Sequence, residues 1–284
     1  MARAVRQAGV KVALSGLGGD ELFGGYPSFR RMRQIARWAR AWRWSPPGVR
    51  RAAAAAARTL GGASVAAGKA AALLETDGGL PSAYPLMREL FSASRRAALL
   101  PPDLAAAAAH DEPYAALLGC VVDQHPRAGI MTLVSYAEAR TYMHDVLLRD
   151  TDQMSMRHAL EVRVPLLDHR VAEYVMGLPD AMKHSAGAAK RLLVAGVDGE
   201  VLTSVAERPK QGFVLPLDAW MRGELRELCE HHLGPAGLGG AGVLNDAAIQ
   251  SVWQSFRDRT GETWSRPWAL VALHAWMENA SIHG

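Results

Sequence analysis

Residues 12–26, Val12-Ala13-Leu14-Ser15-Gly16-Leu17-Gly18-Gly19-Asp20-Glu21-Leu22-Phe23-Gly24-Gly25-Tyr26, run from a short apolar segment straight into a glycine-rich loop. Val12 to Leu14 read as the end of a buried strand, preceded by a helix-like segment and a turn signal at Gly9. Glycines after a strand let successive backbone N–H groups face the same way and approach an oxyanion closely. The acidic pair Asp20-Glu21 would repel a phosphate but could hold Mg²⁺, which takes oxygen ligands and bridges to phosphate oxygens. Strand, loop and acidic pair together point to nucleotide chemistry. The plainer reading is a strand-to-helix turn that needs glycine for positive φ, with Asp20 as N-cap and Glu21 in the first turn.

Two later stretches bear on that choice. One is Asp152-Gln153-Met154-Ser155-Met156-Arg157-His158-Ala159-Leu160-Glu161-Val162-Arg163-Val164-Pro165-Leu166-Leu167-Asp168. The other is Arg208-Pro209-Lys210-Gln211-Gly212-Phe213, followed by Pro216 and Trp220. The loop from Ser15 to Tyr26 and these two stretches, in this order, resemble three motifs of the asparagine synthetase family. The resemblance is weak across 45–130. Gln153 stands where the family usually has arginine, and Arg157 where it usually has a small residue; the two positions are one helical turn apart.

The resemblance implies an α/β fold: a partial ATP-pyrophosphatase (adenine nucleotide alpha hydrolase-like) domain, mainly α-helical with a remnant of parallel sheet. It implies a ligase reaction in which ATP adenylates the β-carboxylate of aspartate, releasing pyrophosphate, and ammonia from glutamine then displaces AMP. By the same resemblance Ser15, Gly16, Gly18 and Gly19 are nucleotide-binding, Asp20 holds Mg²⁺, and Glu21 beside it is, with Lys210, a catalytic residue. Lys210 matches a lysine that contacts phosphate and stabilises charge in the transition state, and a compact ammonium on a flexible stem suits that role. The plain alternative for Lys210 is a solvated loop lysine. Asp152 is a candidate lining of the aspartate or ammonia pocket. Glu161 and Arg163 read as a structural ion pair, and Pro165 with Asp168 as the cap of a following helix.

The family's Ser-Gly-Gly-x-Asp-Ser pyrophosphate loop does not occur in residues 1–284, nor does an N-terminal glutaminase cysteine. By resemblance the chain is therefore expected to be the C-terminal portion of a synthetase domain, either a fragment or a separately encoded remnant, and to be inactive alone. The glutaminase would lie outside it, and a homodimer is open for full-length members. Two alternatives stand beside asparagine synthesis: an amide-forming ligase acting on another carboxylate, and a non-catalytic interaction module. Leu17 occupies a position that varies among relatives making other amides or lactams.

Composition narrows the remaining classes. At 284 residues with a net charge of +4, the chain gives no strong pointer to nucleic acid or an anionic membrane. Cys120 and Cys229 are too few for a disulfide framework, which makes a reducing, cytoplasmic compartment the default. No apolar run approaches the ~20 residues of a membrane helix. The histidines show no metal-ligand spacing, and the adjacent His231 and His232 read as a solvated pair in a polar segment.

Periodicity predicts a helix over 27–44 with Phe29, Met32, Ile35, Trp38 and Trp42 on one face and arginines on the other. Residues 49–75 are alanine-rich and helical in character. Further helices are expected within 81–129, over 131–150, and around 187–196, 217–233, 246–259 and 265–279, with few strand signals after Leu14.

Overall fold

The structure, a computed structural model, describes residues 1–62, 64–108, 113–183, 190–196, 215–238 and 242–282. It divides into two compact units, each assembled from separate stretches of chain. The first comprises Met1–Pro47, Thr76–Met87 and Pro113–Lys210.

It contains a two-stranded parallel sheet. β1 (Val12–Leu14) pairs with β2 (Glu161–Arg163), Val12 opposite Glu161 and Leu14 opposite Arg163. The Glu161 N–H donates to the Lys11 carbonyl at 2.9 Å and the Ser15 N–H to the Arg163 carbonyl at 2.8 Å, extending the ladder at both ends. Parallel strands are normally covered on both faces. Here Leu14 is 74% exposed.

β2 was not legible as a strand: Glu161-Val162-Arg163 offers a single β-branched residue between two charges. Glu161 and Arg163 form an exposed ion pair, with Arg163 Nε donating to Glu161 Oε1 at 2.8 Å. The chain enters β2 through Ala159, whose φ of +51° reverses it after the helix Arg149–Met156. It leaves through the 3₁₀ turn Pro165–Leu167. Asp168 then caps the helix His169–Gly177, accepting from the Arg170 N–H at 2.9 Å.

The helix Pro27–Trp42 begins with proline at its first position, where a missing N–H costs nothing. Phe29 and Met32 are buried, Trp38 stacks on Trp42 with centroids 4.8 Å apart, and Arg30, Arg31, Arg37 and Arg40 face solvent. It packs against Ile130–Glu138, which buries Met131, Val134 and Ala137 on one face. That helix continues with π-helical hydrogen bonding over Ala139–Leu148 and returns to α over Arg149–Met156.

The second unit comprises Gly48–Glu75, Arg88–Glu112 and Gln211–Gly284, and the regular elements among its described residues are all helices. Glycine divides two of the expected helices. The alanine-rich stretch forms Pro47–Gly61 and Val65–Glu75, separated at Gly62 with φ +54°. The expected helix over 217–233 forms Leu217–Arg222 and Arg226–Leu233, separated at Gly223.

The core gathers Met221, Cys229, Leu233, Leu238, Ile249, Trp253, Phe256 and Leu270. Ile249, Trp253 and Phe256 recur at helical spacing along Asp246–Arg257, whose N-terminus Asn245 caps by accepting from the Ala248 N–H at 3.2 Å. The Arg222 guanidinium lies 3.9 Å over the Phe256 ring. The reading of His231 and His232 as a solvated pair holds for His231 alone; His232 is buried. No helix among the described residues is long and apolar enough to cross a membrane.

Candidate functional site

The loop after β1 is shaped by close approaches that only glycine permits. Gly18 has φ +90°, and a Cβ there would lie 2.4 Å from Leu167 Cδ2. Its backbone N–H donates to Glu21 Oε2 at 3.1 Å, closing the N-terminus of the short helix Gly19–Phe23. The N-cap is therefore Gly18, with Asp20 and Glu21 inside the first turn rather than Asp20 at the cap. Gly24 ends the helix at φ +70°, and the Gly25 N–H donates back to the Asp20 carbonyl at 2.8 Å.

Glu21 is 1% exposed, and both of its carboxylate oxygens are engaged. Oε2 takes the Gly18 N–H and Oε1 takes the Tyr26 hydroxyl at 2.6 Å. Burial and the neighbouring Glu21 and Asp20 carboxylates push the Tyr26 phenol well above its ordinary range, so it stays a donor. Glu21 thus joins the start of the loop to its end. A buried acid satisfied in this way costs far less than an unpaired one.

Asp20 is half-buried, and its Oδ1 lies 3.0 Å from Lys190 Nζ. Lys190 has φ +56° and opens the helix Arg191–Ala195. A Cβ on Gly25 would sit 1.7 Å from Asp20 Oδ1 and 2.8 Å from Lys190 Cε, so this ion pair occupies the space a side chain at residue 25 would need. Lys190 carried no motif signal in the sequence; its scarcity as one of few lysines was the only hint. Ser15 lies at the end of β1, with its hydroxyl accepting weakly from the Leu17 N–H at 3.4 Å. Gly16 is exposed, and a Cβ there would meet nothing within 4 Å.

Two of the three sequence motifs meet here: the glycine loop packs on Leu166 and Leu167, and β1 pairs with β2. Ser15, Gly16, Gly18, Gly19, Asp20 and Glu21 are contiguous in this loop. Asp152 lies exposed on Arg149–Met156, its backbone carbonyl accepting from the Ser155 hydroxyl at 3.3 Å. Among the described residues no hydrogen bond or ion pair joins it to the loop. Lys210 lies outside the described residues.

The family model described as asparagine synthase matches residues 1–278. The chain belongs to the asparagine synthase family. It is 29% identical over 222 residues to asparagine synthetase [glutamine-hydrolyzing] 1 of Bacillus subtilis, covering 77% of this chain and 33% of that protein. It is 28% identical over 272 residues to a putative asparagine synthetase [glutamine-hydrolyzing] of Mycobacterium bovis, covering 94% of this chain and 39% of that protein. A shorter similarity, 28% over 122 residues, links it to amidase chry2 of Gibberella zeae, covering 40% of this chain and 18% of that protein. The chain spans between a third and two-fifths of the length of the two asparagine synthetases. No solved structure matches it significantly.

Proposed function

We propose that this chain contributes the loop and helical part of an ATP-dependent amide-forming site, converting aspartate to asparagine through a β-aspartyl-adenylate with ammonia drawn from glutamine. A carboxylate is a poor acylating agent, and adenylation supplies it with a good leaving group. The negative charge that moves onto pyrophosphate must be met by cations and backbone donors.

The observation that carries this reading is the division among the loop glycines. Packing and positive φ account for Gly18, and the Asp20–Lys190 pair accounts for Gly25. Gly16 has neither reason; it is bare, exposed backbone beside Ser15, as close approach by a phosphate requires. In this reading Ser15 and Gly16 touch the nucleotide, while Gly18 and Gly19 set the shape of the loop.

Asp20 offers a half-buried oxygen donor of the kind Mg²⁺ takes, and the ion would supply charge neutralisation on the phosphates. Lys190, already paired with Asp20, is placed to share that role. Glu21, with both oxygens engaged, acts as a positioning residue that holds the loop closed. Lys210 is assigned its phosphate-directed charge by resemblance.

The test is Asp20→Asn in the protein as the cell makes it, assayed for AMP and pyrophosphate with aspartate, MgATP and ammonia. Losing one such electrostatic contact costs ~3–4 kcal/mol in the transition state, a rate loss of about a hundred- to a thousandfold. Near wild-type turnover would remove Asp20 from the chemistry. A second reading, amidation of a different carboxylate, is favoured by the similarity to amidase chry2 and by the apolar Leu17. It predicts pyrophosphate release with another carboxylate and none with aspartate.

A further inference from the structure

The second unit holds a cluster of imidazoles that the loop chemistry leaves unused. His231 and His232 end the helix Arg226–Leu233, while His274 and Glu278 lie four residues apart, on one face of the helix Ser265–Ile282. These two helices pack against each other. His232 and His274 are 8% and 6% exposed, and their Nδ1 atoms face each other at 2.9 Å. Glu278 Oε2 lies 3.6 Å from His232 Nδ1 and 3.9 Å from His274 Nδ1. His231 Nε2 lies 3.9 Å from Glu278 Oε1. One ligand atom from each of His231, His232 and Glu278 falls within 4.8 Å of the others.

Two buried imidazole nitrogens at 2.9 Å cannot both carry protons. Either one donates to the other, or both direct lone pairs at a shared cation. Ligand atoms around one ion at ~2.0–2.1 Å stand ~2.9–3.4 Å apart, depending on the angle. At tetrahedral angles, the long end of that range, the imidazole pair needs to open and Glu278 to close, each by a few tenths of an ångström. Two nitrogens and one carboxylate oxygen suit a borderline divalent ion; Mg²⁺ and Ca²⁺ prefer all-oxygen sets.

We propose that His232, His274 and Glu278 form a Zn²⁺ site that clamps the helix Arg226–Leu233 to the helix Ser265–Ile282, with the exposed His231 beside Glu278. The ion would cross-link residues 42 positions apart at one point of the unit.

The experiment treats the full chain with a chelator, then titrates it with Co²⁺ followed by visible absorption, and with Zn²⁺ in competition with a chromophoric chelator. One equivalent should bind per chain, give the intense visible bands of a low-coordinate Co²⁺ site, and raise the thermal midpoint. His274→Ala and Glu278→Gln should each weaken Zn²⁺ on the order of a hundredfold, and the exposed-histidine control His125→Ala should not. Glu278 is half-exposed, so Glu278→Gln decides the matter if His274→Ala fails to fold. No saturable binding, or equal binding by wild type and Glu278→Gln, would overturn the site and leave an imidazole–imidazole hydrogen bond. The readout is metal affinity, so its failure is distinguishable from failure of the loop's proposed role in adenylation.

Discussion

The glycine loop and the second unit's core reach order by opposite routes. In the loop, order comes from what is missing: Gly18 and Gly25 lack a Cβ where Leu167 and the Asp20–Lys190 pair need the room. In the second unit, order comes from filled volume, with Ile249, Trp253 and Phe256 interlocked with Met221, Leu233 and Leu270. A loop defined by absences is written in adjacent residues and can be recognised as a string. A core defined by volume is spread along the chain, and many strings encode it equally well. That contrast explains why the glycine loop stood out in the sequence as a string while the second region showed only helices.

The largest stability effect should therefore fall in the second unit. Phe256 is fully buried, stacks on Trp253 with centroids 5.7 Å apart and carries the Arg222 guanidinium on its face. Phe256→Ala removes the ring and leaves a cavity, which costs about 3–5 kcal/mol. Urea unfolding monitored by tryptophan fluorescence measures it. A loss below about 1 kcal/mol would mean that the core collapses around the gap and is less interlocked than its contacts imply.

The loop should respond to the smallest possible addition. Gly18→Ala places a methyl 2.4 Å from Leu167 Cδ2 at a φ of +90°. The left-handed backbone costs roughly 1–2 kcal/mol for a residue with a Cβ, and the overpacking adds about 1–3 kcal/mol. Gly16→Ala adds the same methyl to open space and should leave stability unchanged within about 0.5 kcal/mol. If Gly16 makes way for a nucleotide, Gly16→Ala should instead lower pyrophosphate release. Equal stability loss in both variants would show that general loop entropy, rather than particular approaches, explains the glycines.

Legibility followed the range of the interactions. β1, the glycine loop and the amphipathic Pro27–Trp42 could be read because each is specified by neighbours within a few turns of chain. β2 escaped because its strand character comes from pairing with Val12–Leu14, not from Glu161-Val162-Arg163 itself. The π-helical stretch over Ala139–Leu148 escaped because no residue type marks the change from i→i+4 to i→i+5 hydrogen bonding. Lys190 and His274 escaped because a single lysine or histidine carries no pattern until the fold sets it against Asp20 or His232. Glu21 shows the converse: the string drew attention to its charge, while the structure satisfies that charge internally with Gly18 and Tyr26.

The smallest expected effect lies in the first unit, where the motif segment becomes an ordinary helix. Asp168 caps His169–Gly177 and is gripped by Arg170, whose Nε and Nη2 donate at 3.0 and 2.9 Å. The Arg170 side chain first, then its backbone N–H, hold the Asp168 carboxyl well below the usual carboxylate range. A group whose folded pKa is lowered adds stability above its unfolded pKa and loses it as pH falls through that value towards the folded one. Asp168→Asn keeps the capping oxygen but removes the charge. Wild type should therefore melt slightly above Asp168→Asn at neutral pH, and the gap should shrink steadily below about pH 4, the unfolded carboxylate value. Raised salt should shrink it as well, because the pair is exposed. A gap that persists unchanged to low pH would mean that Asp168 acts through cap geometry alone. The segment after β2 would then be held, like the loop before it, by shape rather than by charge.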